Sequence, residues 1–230
     1  LVYAEKLIPG ADKTILIYGH YDVMPVEPLE LWKSDPFKPE VRDEHIWARG
    51  ADDDKGQSFI QYAAFEFLVK HNLLRHNVKF ILEGEEEIGS PSLETFLAQH
   101  RELLKSDIIL VSDTSMLAAD LPSLTTGLRG IAYWDVEVTG PNHDLHSGHF
   151  GGAVANPINV LCEMIAKMTD ADGRITIPHF YDDVEELPDA ERKMIASIPF
   201  DEEKYKRALD VEELRGEKGY STIERNSCRP

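Results

Sequence analysis

The apolar residues in the first half of the chain form short runs that alternate with helical patterns. Residues 14–18, 78–82 and 108–111 are apolar runs of four or five residues, which is typical of strands buried in a covered sheet. Apolar positions recur at helical spacing over residues 56–74 and 93–104. The order strand, helix, strand, helix, strand predicts an α/β fold with a parallel or mixed sheet.

The second half of the chain has a different pattern. Residues 131–138 alternate as a half-exposed strand would, and a loop rich in Gly and His follows over residues 140–152. Apolar residues share one helical face over residues 158–168, and further helices are predicted at 189–196 and 202–214. These elements predict a second domain of the α+β class.

The change of pattern near Thr125 predicts a domain boundary, which divides the chain into residues 1–125 and 126–230. The chain begins with Leu1 rather than Met, and no element that would close the second domain precedes Pro230. We therefore expect an internal segment of a longer protein, with both domains incomplete.

Composition argues against several classes of protein. The 230 residues include 42 acidic and 24 basic side chains, a formal net charge of −18, which disfavours binding to nucleic acid. No apolar run is long enough for a membrane span, and no secretory leader is visible. Cys162 and Cys228 are far apart and form no C-x-x-C motif, so neither a cysteine zinc site nor a disulfide scaffold is expected. We expect a cytoplasmic protein without membrane or nucleic-acid partners.

The end of the first predicted strand carries a possible metal ligand. His20 and Asp22 follow this strand at a spacing of two, which places both side chains on one face of an extended chain. A carboxylate beside a histidine suits a metal ligand whose tautomer it fixes. A strand end with a hydrogen-bonded histidine explains the same two residues, and for this pair alone it is the better interpretation.

An acidic turn precedes the first predicted helix. Asp52, Asp53 and Asp54 stand together between glycines, where their charges repel one another unless a cation compensates. The register does not fit an EF-hand calcium loop. N-capping of the helix by one aspartate is the alternative interpretation.

A run of carboxylates, residues 83–87, follows the second predicted strand. Such a run is usually a solvated face, but this one ends a buried strand between glycines. Neighbours in an extended chain point apart, so Glu86 and Glu87 can have different roles, one as a metal ligand and one in proton transfer. Asp113 adds a further carboxylate after the third strand.

Together these positions predict a hydrolytic site with two metal ions, because one His and several carboxylates stand at successive strand ends of a sheet. The chain contains no G-x-S-x-G, phosphate loop, G-x-G-x-x-G or H-E-x-x-H motif. A glycosidase would use two carboxylates but would leave His20 and the acidic turn unexplained.

Five motifs in register resemble those of the cocatalytic zinc metallopeptidases, the family of carnosinases, cytosolic dipeptidases, glutamate carboxypeptidases, aminoacylases and desuccinylases. The motifs are GHYDV (19–23), RGADDDKG (49–56), EGEEEIGS (83–90), SD (112–113) and DLHSGHFGG (144–152). The last motif is most similar to the carnosinase-like branch. The resemblance implies a mixed sheet with helices on both faces, together with a ferredoxin-like α+β domain, called the lid, that mediates dimerisation.

The resemblance also implies the metal ligands. Two divalent ions, zinc or alternatively manganese, would share Asp53 as the bridging carboxylate. His20 and Asp113 would complete the ligands of one ion, and Glu87 would bind the other. The last ligand of the family is a later His, and this chain ends before that position, as it does before an Arg expected to bind the substrate carboxylate.

Three further residues receive catalytic roles from the resemblance. Asp22 would orient His20, and Glu86 would act as the general base. His146, in the lid, would reach the active site of the partner in a homodimer and stabilise the oxyanion.

The resemblance therefore implies a metallopeptidase that hydrolyses dipeptides or similar small peptides, and we expect this segment alone to be inactive. There are two alternatives. One is an N-acyl-amino-acid deacylase with the same site, and the other is a non-catalytic relative that binds metal or dimerises.

Overall fold

The computed structural model describes residues 1–118, 121–125 and 127–230 and divides into two compact units, Leu1–Leu124 and Thr125–Pro230. Thr126, the first residue of the predicted second domain, lies outside the described residues. None of the helices in the described part of the chain is long and apolar enough to cross a bilayer.

The first unit is an α/β structure built on one mixed sheet. Its elements are β1 (Val2–Lys6), β2 (Thr14–His20), β3 (Glu40–Arg42), β4 (His45–Trp47), α1 (Lys55–Lys70), β5 (Asn77–Glu83), α2 (Leu93–Gln99), α3 (Arg101–Leu104) and β6 (Ile108–Val111). The sheet has the order β1-β5-β2-β6, while β3 and β4 form a separate hairpin. β5 and β6 both run parallel to β2, and β1 pairs antiparallel with β5. The carboxyl ends of β2, β5 and β6 therefore meet at one edge.

Helices cover both faces of this sheet, as predicted. The buried apolar clusters are Leu16, Ile81 and Leu104 on one face and Ile17, Val78 and Phe80 on the other. Phe96 of α2 packs on the first cluster and Phe65 of α1 on the second. Because both faces of the central strands are covered, β2 and β5 are nearly continuous apolar runs, which is why they could be recognised from the sequence.

Several boundaries in the first unit differ from the predicted ones. α1 ends at Lys70 rather than residue 74, because Asn72 adopts the left-handed conformation (φ 55°) and the chain turns back. The predicted helix over 93–104 is divided into α2 and α3 at His100. β1 was not predicted, because its side chains are mostly exposed and form no buried apolar run.

The second unit consists of short helices within the described residues. They are α4 (Ser147–Phe150), α5 (Pro157–Ala166), α6 (Asp189–Ala196), α7 (Glu202–Leu209) and α8 (Thr222–Ser227). α5 and α6 agree with the predicted helices. α7 ends at Leu209 rather than at residue 214, because Asp210 adopts the left-handed conformation (φ 53°).

The strand predicted over residues 131–138 is wrong for this structure. These residues form no strand, and Tyr133 and Trp134 are more than four-fifths exposed. The alternation of apolar and polar residues is a local property, whereas a strand needs a hydrogen-bonded neighbour. From residue 127 onward, the β-structure of the described residues consists of one isolated bridge between Thr169 and Ile175.

The buried side chains of the second unit are polar or charged rather than apolar. Among the described residues, all the apolar side chains classed as buried lie in the first unit. In the second unit the Arg229 side chain is buried and pairs with Glu217 at 2.8 Å. Arg192 pairs with the buried Glu224 at 2.7 Å.

Candidate metal centre

The carboxyl edge of the sheet brings together three of the predicted ligands. His20 is the last residue of β2, Asp113 lies two residues beyond β6, and Asp53 lies in the turn before α1. His20 Nε2 lies 3.0 Å from Asp53 Oδ1 and 3.7 Å from Asp113 Oδ2, and one ligand atom from each of the three residues lies within 4.8 Å of the others. The His20 side chain is fully buried, whereas that of Asp53 is 62% exposed. The group is thus anchored in the protein and open on the side of Asp53.

Asp22 lies on the opposite nitrogen of the imidazole. Its Oδ1 is 3.3 Å from His20 Nδ1, and its Oδ2 accepts a hydrogen bond from the Glu87 backbone N–H at 2.9 Å. Asp22 Oδ1 and His20 Nδ1 make no hydrogen bond, and it is Nε2 that bonds to Asp53. A metal ion on Nε2 would leave the imidazole proton on Nδ1, on the side of Asp22. Burial raises the pKa of Asp22, but backbone hydrogen bonds outweigh it, so the pKa lies below its ordinary value.

The acidic turn does not cap the helix that follows it. Asp54 occupies the N-cap position of α1, yet its side chain makes no capping hydrogen bond. Instead its buried Oδ2 accepts hydrogen bonds from the His20 backbone N–H at 3.1 Å and from Ser58 Oγ at 2.9 Å. Asp54 therefore ties the acidic turn to the strand end that carries His20. The N-cap interpretation of this turn is wrong.

Glu86 and Glu87 lie in a short 3-10 helix, Glu86–Ile88, rather than in extended chain. The Glu87 carboxylate accepts a hydrogen bond from the Met24 backbone N–H at 3.0 Å and is not among the three grouped ligands. Burial, with the charges of Asp113 and Glu87 added, raises the pKa of Glu86 above its ordinary value, although His20 opposes this shift. The two residues do have different surroundings, as predicted. The cause is their place in a 3-10 helix, however, and not the alternation of side chains in an extended chain.

The electrostatics of the group are those of negative charges crowded around one imidazole. Burial lowers the pKa of His20, but its hydrogen bond to Asp53 and the nearby carboxylates outweigh this, and the pKa is raised. Burial also raises the pKa of Asp113, and the charges of Asp53 and Asp54 add to the effect. A cation at this position would relieve the repulsion among these carboxylates.

The residues present fit a divalent metal ion. One imidazole nitrogen and two carboxylate oxygens are ligands that zinc and manganese accept, and their spacing allows one cation to contact all three. A cavity of about 380 Å³ adjoins the group, and Asp53, Asp113, Gln57 and Thr114 contribute to its walls. This volume is of the size that holds a small ligand.

His146, the remaining predicted site residue, lies in the second unit. Its Nδ1 accepts a hydrogen bond from the Gly148 backbone N–H at 3.1 Å, which caps the start of α4. Its ring lies 5.0 Å from that of His149.

Asp54 is the residue of the site that sequence reasoning missed. The family motif singles out Asp53, but the sequence contains no signal that separates Asp54 from Asp52, because these two differ only in which way the turn directs them. Lys55 was likewise passed over, and its Nζ donates to the Tyr21 carbonyl at 2.8 Å, between the His20 and Asp22 positions.

The mixed sheet and the group at its carboxyl edge define a metal-binding α/β protein. The chain belongs to Peptidase family M20/M25/M40, whose profile matches residues 16–222. This confirms the resemblance to metallopeptidases, and family membership together with the His20 group implies the use of a divalent metal ion.

Curated relatives with similar sequences are dipeptidases. The chain is 36% identical over 215 residues to a Beta-Ala-His dipeptidase of Rattus norvegicus, covering 92% of this chain and 44% of the relative. It is 37% identical over 220 residues to the Cys-Gly metallodipeptidase DUG1 of Candida albicans, covering 92% of this chain and 43% of the relative. The chain thus spans less than half the length of these relatives.

Solved structures with the same fold include peptidases of the family. The M20 family metallo-carboxypeptidase Sso-CP2 of Sulfolobus solfataricus has a TM-score of 0.76 and 37% identity, covering 96% of this chain and 49% of that one. Human carnosine dipeptidase 1 has a TM-score of 0.74 and 32% identity, and the match covers 96% of this chain and 46% of that one.

Proposed function

We propose that the complete natural polypeptide that carries this chain hydrolyses the amide bond of dipeptides or similar small peptides in a metal-dependent reaction. The observation that carries the proposal is the group of His20, Asp53 and Asp113, with Glu86 beside it, in a chain similar to dipeptidases. The adjoining cavity is of a size that accepts a dipeptide.

The proposed ligands are those expected from the sequence. His20 and Asp113 would hold one divalent ion, Glu87 would contribute to a second, and Asp53 would serve both. Zinc is the proposed metal, with manganese as the alternative, because imidazole and carboxylate ligands suit both. When bound, such ions lower the pKa of water and polarise a carbonyl group.

Glu86 is proposed as the general base. Its raised pKa suits a group that accepts a proton from the attacking water and donates it to the leaving amine. Asp22, whose Oδ1 lies 3.3 Å from His20 Nδ1, would hold the imidazole proton on that nitrogen when a metal ion occupies Nε2. This division of roles gives Asp22 an orienting function and Glu86 the proton transfer.

The second half of the chain is proposed to mediate dimerisation. We propose that residues 1–125 form part of the catalytic domain and residues 126–230 part of a lid through which the protein forms a homodimer. His146 of one subunit then stabilises the oxyanion in the site of the other. The location proposed for the enzyme is the cytoplasm, and the free thiols of Cys162 and Cys228 support it.

A substrate panel tests the proposed function. The complete polypeptide is loaded with zinc or with manganese and assayed against dipeptides and against N-acyl amino acids that share the same second residue. We expect turnover of dipeptides and its loss after metal chelation. Preference for N-acyl amino acids would instead assign a deacylase, and binding of metal without any turnover would assign a non-catalytic relative.

A further inference from the structure

Glu83 is a buried carboxylate that the proposed reaction does not use. It is the last residue of β5, lies opposite His20 in the sheet register, and is 1% exposed. Its backbone carbonyl accepts a hydrogen bond from the Tyr21 N–H at 2.9 Å, which continues the ladder past the strand end. Both the backbone and the side chain of Glu83 are therefore fixed by the sheet.

Two hydroxyl groups donate to the same oxygen of this carboxylate. Tyr18, a neighbouring residue of β2, donates its O–H to Glu83 Oε1, and Ser90 Oγ donates to the same atom at 2.9 Å. Tyr18 and Glu83 both belong to the rigid sheet. Ser90 does not, because it lies at the far end of the loop that contains Glu86 and Glu87. The Ser90 hydrogen bond is thus a link between the sheet and that loop.

The loop from Gly84 to Ser90 needs such a link. It contains two consecutive left-handed residues, Gly89 (φ 87°) and Ser90 (φ 53°), a conformation that a serine adopts at a cost. The Ser90 N–H donates to the Glu85 carbonyl at 2.8 Å, and the Gly89 N–H donates to the Glu86 carbonyl at 2.9 Å. These local bonds shape the turn. The bonds of Glu87 to Asp22 and Met24 tie the middle of the loop to the segment after β2, and the Ser90 bond to Glu83 ties its far end to the sheet.

We propose that Glu83 is a positioning residue, which through Ser90 fastens the loop bearing Glu86 and Glu87 to the sheet edge that bears His20. The expected effect on turnover rests on the proposed function, whereas the fastening of the loop to the sheet does not depend on it. A catalytic base works only when it is held within a fraction of an ångström of its position, so slack in this loop lowers the rate of the chemical step.

A matched pair of substitutions in the complete, metal-loaded protein tests the proposal. Ser90→Ala and Tyr18→Phe each remove one O–H donor from the same buried carboxylate, but only Ser90→Ala releases the far end of the loop from the sheet. We expect both to lower the melting temperature by a similar amount, about 2–4 °C. We expect Ser90→Ala to lower kcat for dipeptides about 10-fold or more with KM changed less than about twofold, and Tyr18→Phe to leave both unchanged.

A conservative variant and amide hydrogen exchange complete the experiment. Glu83→Gln keeps an acceptor oxygen for Ser90 and should retain more of the activity than Glu83→Ala. Exchange of the Glu87, Gly89 and Ser90 amides should become faster in Ser90→Ala and not in Tyr18→Phe. A purely structural role would lower the stability of both variants without this difference.

The outcomes separate this inference from the proposed function. Faster exchange in Ser90→Ala with no dipeptide turnover by the unmodified protein would overturn the proposed function and support the link. Unchanged exchange and unchanged kcat in Ser90→Ala, in a protein that hydrolyses dipeptides, would overturn the link alone. An equal loss of kcat in both variants would also overturn it, because the effect would then not pass through the loop.

Discussion

At the scale of single residues, the candidate site depends on neighbouring carboxylates that have different partners. Asp53 lies against the His20 imidazole, whereas Asp54 next to it accepts a hydrogen bond from the His20 backbone. Glu87 accepts from a backbone amide, while the pKa of Glu86 is raised by burial and by the charges around it. Substitutions that remove charge but keep shape can therefore distinguish the roles of adjacent residues.

The first prediction separates Glu86 from Glu87. In the complete protein, Glu86→Gln should keep the metal content and the fold but lower turnover by about 10²–10⁴-fold, because the group that moves the proton is lost. Glu87→Gln, the matched control, should lose bound metal. Metal analysis and steady-state kinetics on both variants check this. Equal loss of metal in the two variants would mean that their roles are wrongly assigned.

The second prediction concerns Gly19, the residue before His20. A Cβ at this position would lie 2.2 Å from Ser58 Oγ and 3.0 Å from Asp54 Oδ2. Gly19→Ala should therefore lower the free energy of unfolding by about 1–3 kcal/mol, since buried side chains must move to admit a methyl group. Urea denaturation measures the effect.

Gly130→Ala is the matched control for Gly19→Ala, because no atom lies within 4 Å of the Cβ that it would add. This change should alter the free energy of unfolding by less than about 0.5 kcal/mol. Equal effects of the two substitutions would show that contact with Ser58 and Asp54 is not what requires a glycine at position 19.

At the scale of elements, α8 shows how a short helix is stabilised by its first turn. Ser221 and Glu224 form a capping box in which each side chain accepts from the backbone of the other. The hydrogen bond from Arg192, together with that box, lowers the pKa of the buried Glu224 to about 2 from an ordinary value of 4.5. The ionised form of this carboxyl thus stabilises the folded second unit.

The third prediction is the pH dependence that follows. Because the folded pKa lies below the unfolded one, the stabilisation is complete above about pH 4.5 and is lost as the pH falls towards about 2. Glu224→Gln should lower the free energy of unfolding at neutral pH by about 2 kcal/mol and remove this acid dependence. Glu163→Gln, which changes an exposed pair with Lys167 at 3.9 Å, should have little effect. The free energies of unfolding of both variants and of the unmodified protein, measured from pH 7 to pH 2, check this prediction. Equal effects of Glu224→Gln and Glu163→Gln would contradict it.

At the scale of the whole molecule, the number of metal sites depends on which ligands one chain supplies. The described residues contain one group of three possible ligands, His20, Asp53 and Asp113. Within the part of the chain that the structure describes, Glu87 belongs to no such group, and carboxylates alone make a poor zinc site. The number of ions that this chain binds therefore reports directly on these ligands.

The fourth prediction is that a chain limited to these 230 residues binds at most one zinc ion tightly and hydrolyses dipeptides negligibly. His20→Ala should abolish the tight site, while His45→Ala, which changes an exposed residue of β4, should leave it intact. Calorimetric titration and a dipeptide assay check this. Two tight sites, or substantial turnover, would mean that another residue, such as His143 or His149, supplies a ligand.

The fifth prediction concerns the proposed homodimer. If His146 acts in the partner's site, then mixing a His146→Ala protein with an Asp53→Ala protein should restore activity through mixed dimers. Random exchange gives about a quarter of the unmodified activity, since half of the dimers are mixed and each has one complete site. No recovery while subunits exchange would contradict a role for His146 across the dimer.

The sequence by itself determined the three parallel strands of the sheet, the helices on both of its faces and the family. The central strands are covered on both faces, so β2, β5 and β6 stand out as apolar runs, and the candidate ligands follow their ends. Family motifs assigned His20, Asp53 and Asp113 before any distance was known. These features depend on local pattern, which a sequence carries in full.

Only the tertiary structure decided how adjacent acidic residues divide their roles and which apolar patterns form elements. Asp54 and Glu83 are buried because the turn and the sheet direct them inward, and the composition of the acidic runs does not encode that direction. Residues 131–138 alternate as a strand does but have no ladder partner, and β1 forms because β5 offers one. Such outcomes depend on what lies beside a segment in space, and that is settled only when the chain folds.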